Sequence, residues 1–387
     1  MNPSVFILAL LAFVVGTAEL VIAGILDGIS RDLQISLGSA GLLMTVYALV
    51  YALGAPVLIS LTSHIERRKL LVTSLVVFAG ANLLSAASGS FLLLMASRII
   101  VASSCSIIVV LAITLAAAMV TEDQRGRAIG MIFSGIVASL VLGVPLGTLV
   151  GVQWGWRMTF FLLTAVTILI IPVVRSKLRQ LPGAPAAPLR KKMGATLDKE
   201  SVFAHLASLL QMTGQFTIFT YISPFLAQTM DLDPVTISMV LLVYGVGGIF
   251  GAWLGGWSTD KLSAQKTFLT FLPLHAIAVL ALPASTISLT SLLALMMLWC
   301  VFNMAPGPAI QKYLIEQTHS SASVQLGINT SAIQLGVAFG SFIGAGVMDH
   351  FSPQTNAYVG GVVILLAMLS GLASSRLRQS RMSGVAP

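Results

Sequence analysis

The 387 residues are 57% hydrophobic and only 9% charged, with a formal net charge of +8. A soluble domain carries about 25% charged residues, so this composition cannot build a water-facing surface. The apolar residues come in blocks of roughly twenty, the length that spans a hydrocarbon core of about 30 Å, and the basic residues flank those blocks, which excludes a nucleic-acid-binding patch and points to membrane topology.

Twelve helical spans are predicted. Six lie near 5–26, 40–61, 70–88, 91–119, 128–151 and 157–174, and six near 202–226, 236–257, 267–286, 289–311, 324–348 and 355–374. The first lacks a basic leader and is longer than the roughly 7–15 apolar residues of a signal peptide, so it reads as a retained span. Between the sets, 175–201 holds Pro182, Gly183, Pro185 and Pro188 beside Arg190, Lys191 and Lys192, a composition suited to a flexible cytoplasmic linker. The chain thus reads as a first half, 1–174, the linker, and a second half, 202–387, ending in a short basic cytoplasmic tail.

With the N-terminus inside, 18 of the 21 Lys and Arg residues fall on cytoplasmic segments. Only Arg31 and Arg157 lie outside, and Arg98 falls within a span. The positive-inside bias predicts a multi-pass protein of the bacterial inner membrane with both termini cytoplasmic. Cys105 and Cys300 both sit in apolar blocks and read as small packing residues, not a disulfide.

An internal repeat has an offset of 197 residues: Tyr47 matches Tyr244, Gly54-Ala55 matches Gly251-Ala252, and Lys69 matches Lys266. Each match falls around the second span of its half and the inside loop after it. Two parallel six-span halves of this kind predict a substrate site near the bilayer midplane.

Glu19 and Arg98 are the intramembrane carboxylate and guanidinium. A charge at that depth costs roughly 3 kcal/mol unless paired or wetted. Counting about 1.5 Å per residue puts Glu19 about 22 Å and Arg98 about 18 Å above the inner face, near enough to pair. Arginine keeps its proton while a desolvated Glu can titrate, so the pair predicts proton coupling; the alternative is a structural pair or a snorkelling arginine.

The fifth span carries small residues every four positions, Gly135, Ser139, Gly143, Gly147 and Gly151, with Pro145 among them. The spacing predicts one close-packing face, the proline a kink. A contact between the two halves is the expected partner. The seventh and tenth spans are polar, with Gln211, Gln215, Thr217 and Tyr221 in one and Trp299 and Asn303 in the other. Together with Thr17 and Asn329 these are the expected substrate-cavity residues, and Pro306-Gly307-Pro308 is expected to break the tenth span. His205 and His275 read as satisfied or near-interface residues, with a coupling role as the alternative. No metal-ligand cluster and no phosphate-binding loop of the form G-x-x-x-x-G-K-[ST] is present in the sequence. Neither a cofactor nor a nucleotide is therefore expected.

These motifs permit a family comparison. The chain resembles the major facilitator superfamily over its whole length, in particular its twelve-helix drug and metabolite:proton antiporters, including exporters of arabinose-type sugars, purine nucleosides and chloramphenicol. The resemblance rests on Gly16-Thr17-Ala18-Glu19, on Ser134-Gly135 and Leu142–Thr148, and on Gly155-Trp156-Arg157. Thr220–Phe225 and Asn329 with Gly336, Gly340 and Gly344 add to it. It implies an antiporter motif in the fifth span and a role for Arg98 in proton coupling. The loop after the second span departs from the family pattern, G-x-L-x-D-R-x-G-R-[RK]. Ser63 stands for the Asp, His64 for the Arg and Glu66 for the Gly, while Arg67, Arg68 and Lys69 remain. Ser63 keeps only a capping ability; the loop after the eighth span keeps the acid as Asp260 with Lys261.

The reading is a monomeric, non-enzymatic, proton-coupled antiporter. It would export a small neutral or weakly charged molecule such as a drug, sugar or nucleoside-like metabolite, with the proton gradient as energy source. An uncoupled facilitator or importer and a lipid flippase are the alternatives.

Overall fold

In the computed structural model, which describes residues 3–183, 198–317 and 322–382, the chain is all helical, with no strand among the described residues. The linker residues Pro185, Pro188, Arg190, Lys191 and Lys192 lie outside the described residues.

The first span is broken into α1 (Pro3–Leu20) and α2 (Ile22–Leu33). There follow α3 (Leu37–Leu61), α4 (Arg67–Ala86) and α5 (Phe91–Ala118). The fifth span is α6 (Arg125–Ala138) and α7 (Val144–Trp154), joined by a π-helical turn over Ser139–Gly143, and α8 (Trp156–Lys177) is the sixth. The seventh span is again broken, into α9 (Lys199–Phe219) and α10 (Ile222–Met230). Then come α11 (Pro234–Lys261), α12 (Ala264–Leu280) and a one-turn helix α13 (Leu282–Ser285). The tenth span is α14 (Leu289–Met304) and α15 (Pro306–Gln317), broken at the expected prolines, before α16 (Ala322–His350) and α17 (Pro353–Met382).

Among the described residues, ten helices are long and apolar enough to cross a membrane by length and composition. The other two expected spans are helical too: Ala264–Leu280 is short, and α9 is diluted by Gln211, Thr213, Gln215 and Thr217.

Contacts group Met1–Ala186 with Leu232–Leu242 into one compact unit and Ala187–Asp231 with Val243–Pro387 into a second. Each unit repeats the other's construction. The helix starts Leu37 and Pro234, Arg67 and Ala264, and Trp156 and Pro353 are each 197 positions apart. So are Gln34 and Asp231, which end α2 and α10 in the same left-handed conformation, both at φ 52°. In the first unit α1 packs on α6 and α5, and α4 on α5 and α8; in the second α9 packs on α16 and α17, and α12 on α17. Side chains start several helices. Ser36, Ser90 and Asp198 each accept a backbone N–H three residues on, and Ser288 and Ser291 cap α14 reciprocally.

Within its own unit the small-residue stripe meets the first span, and at Gly147 and Gly151 also Thr159 and Trp156 of α8. A Cβ at Gly135 would strike the Ala9 carbonyl, at Gly143 Thr17, at Gly147 Val21 and at Gly151 Ile25, while Ser139 lies against Gly16. The reason is periodic: residues four apart on the fifth span meet residues about four apart on the first. The π turn immediately precedes Pro145, whose ring crowds the preceding turn and whose missing N–H breaks the ladder. In the second unit Gly336, Gly340 and Gly344 press on the backbone of Leu209, Thr213 and Thr217 of α9 in the same way.

Gly340→Leu is expected to lower stability by about 2–3 kcal/mol through overpacking, because its side chain would enter the α9 backbone. Thermal unfolding of the purified protein in detergent reads the effect; an unchanged midpoint would disprove the close contact.

Candidate functional site

The first unit holds one buried guanidinium. Arg98 of α5 is 0% exposed, and its Nη1 donates to the Ala18 carbonyl at 2.9 Å. In an unbroken helix that oxygen would accept the N–H of residue 22; here the first span breaks at Val21. The guanidinium carbon lies 4.5 Å from the centre of the buried Tyr47 ring on α3, a cation–π contact. Nε and Nη2 are buried without a hydrogen-bond partner. Glu19, next to Ala18, is half-buried. Electrostatically it reaches Arg98, Tyr47, Tyr51 and Cys105, so the structure brings the two predicted coupling residues into one site. Beside them Ser97 bonds Ser85 at 2.7 Å. Thr17 does not open onto this site: its hydroxyl donates to Phe13 O at 2.8 Å and its side chain packs under Gly143.

The second unit holds a neutral network centred on Gln215. Its Nε2 donates to the Tyr244 hydroxyl at 2.7 Å, and its Oε1 accepts from Trp299 Nε1 at 2.8 Å and faces His275 Nε2 at 2.9 Å. The tautomer with the proton on Nε2 donates to Gln215 and leaves Nδ1 as an unbonded buried acceptor. The Phe219, Tyr244 and Trp299 rings pack together, with Trp299 4.9 Å from Tyr244 edge to face. Gln211 Nε2 donates to Asn303 O at 3.2 Å, and the Asn303 Oδ1 is buried and unbonded. Thr217 is turned back onto Thr213 O, Tyr221 donates to Ser341 O at 2.9 Å, and Thr220 bonds the Ser341 hydroxyl. Asn329 joins a separate cluster, where His205 meets Asn329 Oδ1 at 3.4 Å and Gln325 Oε1 at 2.7 Å. Thus Gln211, Gln215, Trp299 and Asn303 gather together, whereas Thr17, Thr217, Tyr221 and Asn329 serve helix contacts. Among the described residues no group of His, Cys, Asp and Glu could hold a metal.

The two gate loops are built differently. Ser63 does not cap α4, because the helix begins at Arg67 and leaves Ser63 too far upstream. Glu66 caps it instead, accepting from the Arg68 and Lys69 amides at 2.8 and 2.9 Å and from the Leu181 amide at 3.2 Å. Burial pushes the Glu66 carboxyl up, but these amides outweigh it and hold the group below its ordinary value. The start of the linker docks here as well: Arg67 N–H donates to Leu181 O, Arg68 Nη1 donates to Arg175 O and Leu178 O, and Gly183 lies against the His64 backbone. In the other loop Asp260, in the last turn of α11 beside Lys261, pairs with Lys312 at 3.2 Å. There Ser263 stands at φ 123° and ψ 156°, a region costing of order 1–3 kcal/mol for any residue but glycine. Glu66, the equivalent residue, sits at φ −54°.

Asp32 was not singled out in the sequence. It ends α2 and accepts from Arg157 Nη1 and Trp156 Nε1, and Arg157 also donates twice to Ser88 O. The Arg157 guanidinium holds the Asp32 carboxyl below the usual carboxylate range. The only sequence signal for it was Gly155-Trp156-Arg157.

The family model for the Major Facilitator Superfamily matches residues 8–325 and 204–384. The chain is 33% identical over 369 residues to an uncharacterized MFS-type transporter, YbcL, of Bacillus subtilis, covering 95% of this chain and 94% of the relative. It is 32% identical to the inner membrane transport protein YdhP of Escherichia coli K12, covering 95% and 96%. It is 28% identical to a chloramphenicol resistance protein of Streptomyces lividans, covering 94% of each. A crystal structure of a bacterial homolog of the human lysosomal transporter Spinster superposes with a TM-score of 0.73 at 17% identity, covering 96% of each chain, and shares the fold.

Two substitutions test the gate loops. Glu66→Gln is expected to cost about 1 kcal/mol at neutral pH. Because the folded carboxyl titrates below its ordinary value, its contribution is present above that value and lost as pH falls through the lowered one. Variant and parent melting curves, recorded against pH, should therefore converge in acid. Ser263→Gly is expected to raise stability by about 1 kcal/mol, and a lowered melting point would contradict the strain.

Proposed function

The chain belongs to the Major Facilitator Superfamily, and we propose that within it this transporter is a proton-coupled antiporter that exports a small neutral or weakly charged molecule by alternating access. The observation that carries the reading is Arg98, fully buried and tied to the Ala18 carbonyl beside Glu19. A guanidinium keeps its proton at every physiological pH, so the carboxylate is the member of the pair able to exchange one.

In this cycle Glu19 takes up a proton from the outer face and releases it inside. Substrate and proton bind in opposition, as linkage requires of an exchanger. The unbonded Asn303 Oδ1 offers an acceptor to a hydroxyl or amine of the substrate, with Gln211 beside it and the Gln215–Trp299–Tyr244 group behind. This chemistry suits sugars, nucleoside-like metabolites and neutral drugs. The Streptomyces lividans relative is named for chloramphenicol resistance and a Mannheimia succiniciproducens relative, 26% identical, for probable sugar efflux, which supports export of this class. The proton gradient supplies the energy, the chain acts as a monomer, and it lies in the bacterial cytoplasmic membrane with both termini inside. The distribution of Lys and Arg supports that orientation, and the name of the E. coli relative supports the location.

The test uses everted vesicles with an imposed pH gradient and chloramphenicol, arabinose and adenosine as probes. Gradient-driven uptake of at least one probe is expected, with Glu19→Gln lowering it about tenfold, or about 1.4 kcal/mol, while counterflow without a gradient survives. Full gradient-driven uptake in Glu19→Gln would sink the proposal.

A further inference from the structure

The end of the first unit that carries the altered gate loop is strongly basic. Arg67, Arg68 and Lys69 open α4, while Arg175 and Lys177 end α8 with Arg179 just beyond. The two helices pack on each other. Arg68 ties their ends, donating Nη1 to the Arg175 and Leu178 carbonyls at 3.1 and 3.2 Å. The six cations therefore form one cluster, in which Lys69, Arg175, Lys177 and Arg179 are exposed. Glu66, the carboxylate at this end of α4, is committed to three backbone amides. Among the described residues none of the six cations is in an ion pair. Like charges gathered in this way repel one another unless an anion joins them.

The second unit shows the same construction without the charge. At the 197-residue offset Arg67, Arg68 and Lys69 become Ala264, Gln265 and Lys266. Arg175, Lys177 and Arg179 become Leu372, Ser374 and Arg376. The strut is kept: Gln265 Nε2 donates to the hydroxyl of Ser375, the counterpart of Leu178. A neutral side chain thus suffices to join the two helix ends, and joining them does not account for the cations of the first unit. At that end of the second unit Lys312 is paired with Asp260 and Arg378 with Glu316.

An apolar surface continues from the cations along both helices, each long and apolar enough to span a membrane. On α8, Lys177, Val173 and Leu169 follow at steps of four and share a face, and both apolar side chains are exposed. On α4, Lys69 shares a face with the exposed Val76 and Val77, seven and eight residues on. At such helix ends long basic side chains reach the level of the lipid headgroups. A ligand that uses both features carries a negative phosphate joined to apolar chains. A soluble anion would use only the first.

We propose that the paired ends of α4 and α8 bind the headgroup of an anionic phospholipid, with its acyl chains on the apolar faces that continue from the cations. Lys69, Arg175 and Lys177 contact the phosphodiester. Arg68 adds charge without leaving the carbonyls it holds. The site selects by net charge: phosphatidylglycerol brings an uncompensated negative charge, whereas phosphatidylcholine carries its own cation beside the phosphate. Nothing in this depends on what is transported or on proton coupling.

Native mass spectrometry of the full-length protein in neutral detergent tests the site, with phosphatidylglycerol, phosphatidylcholine and soluble glycerol 3-phosphate added in turn. Phosphatidylglycerol should be retained at about tenfold lower concentration than phosphatidylcholine, and glycerol 3-phosphate should not be retained in that range. Lys69→Gln, Arg175→Gln and Lys177→Gln combined should abolish the preference. Lys266→Gln with Arg376→Gln in the second unit should leave it intact. Should the triple variant fail to fold, Lys177→Gln alone, at an exposed position, should lower the preference about threefold. Equal retention of the two lipids by the parent overturns the proposal. So does a preference unchanged in the triple variant or in Lys177→Gln, or one lost equally in the second-unit pair. Glycerol 3-phosphate held as tightly as phosphatidylglycerol overturns it as well, by making the cluster a site for a soluble anion.

Discussion

Hydrocarbon offers no partner to a backbone carbonyl, so every break in a spanning helix must be repaired by the protein itself. The first span breaks at Val21, and a guanidinium from α5 binds the carbonyl of Ala18. That one bond does two jobs. It satisfies the broken ladder, and it fixes a permanent positive charge beside the carboxylate one residue further on. The close approach that makes it possible comes from the fifth span, whose small residues let α1 and α2 lie against its backbone. The π turn and the proline belong to that same approach.

The second unit meets the same constraint with neutral chemistry. Its seventh span breaks at Thr220 and Tyr221, and hydroxyls repair the region: Tyr221 to the Ser341 carbonyl, Thr220 to the Ser341 hydroxyl. Glycines of α16 again let the backbones touch. Where the first unit has Arg98 over a tyrosine, the second has Trp299, Gln215 and His275 around one. One scaffold thus carries a charged site in one copy and an uncharged hydrogen-bonding network in the other.

Much of this was legible in the sequence. The spans followed from apolar block length, the intramembrane charges of Glu19 and Arg98 from rarity, and the repeat from Tyr47 and Tyr244. The prolines announced the break before α15. Other features left no pattern to read. The break at Val21 has no proline four residues on, unlike the one at Thr220, whose carbonyl faces the missing N–H of Pro224, and the left-handed ends at Gln34 and Asp231 lack the glycine that marks such positions. The stripe's face was readable but its partner was not, since spacing says which residues share a face and nothing of what meets it. Thr17 looked like a cavity residue because polar residues in spans often are; its hydroxyl instead bonds back along its own helix. Glu66 was hidden by the family pattern, which directed attention to Ser63. Capping depends on where α4 begins, and a shift of a few residues moves the role.

The docking of 178–183 onto the loop before α4 has a mechanical side. Leu181 is bonded through both its N–H and its carbonyl, to Glu66 and Arg67, and Arg68 grips the last carbonyls of α8. The chain leaving the first unit is cleated there before it departs. A pull on residue 183 would act on the N-terminus of α4 and the end of α8 together, because both hold residues 178–181. The altered loop, poorer in the family's acid, works as an anchorage for the tether.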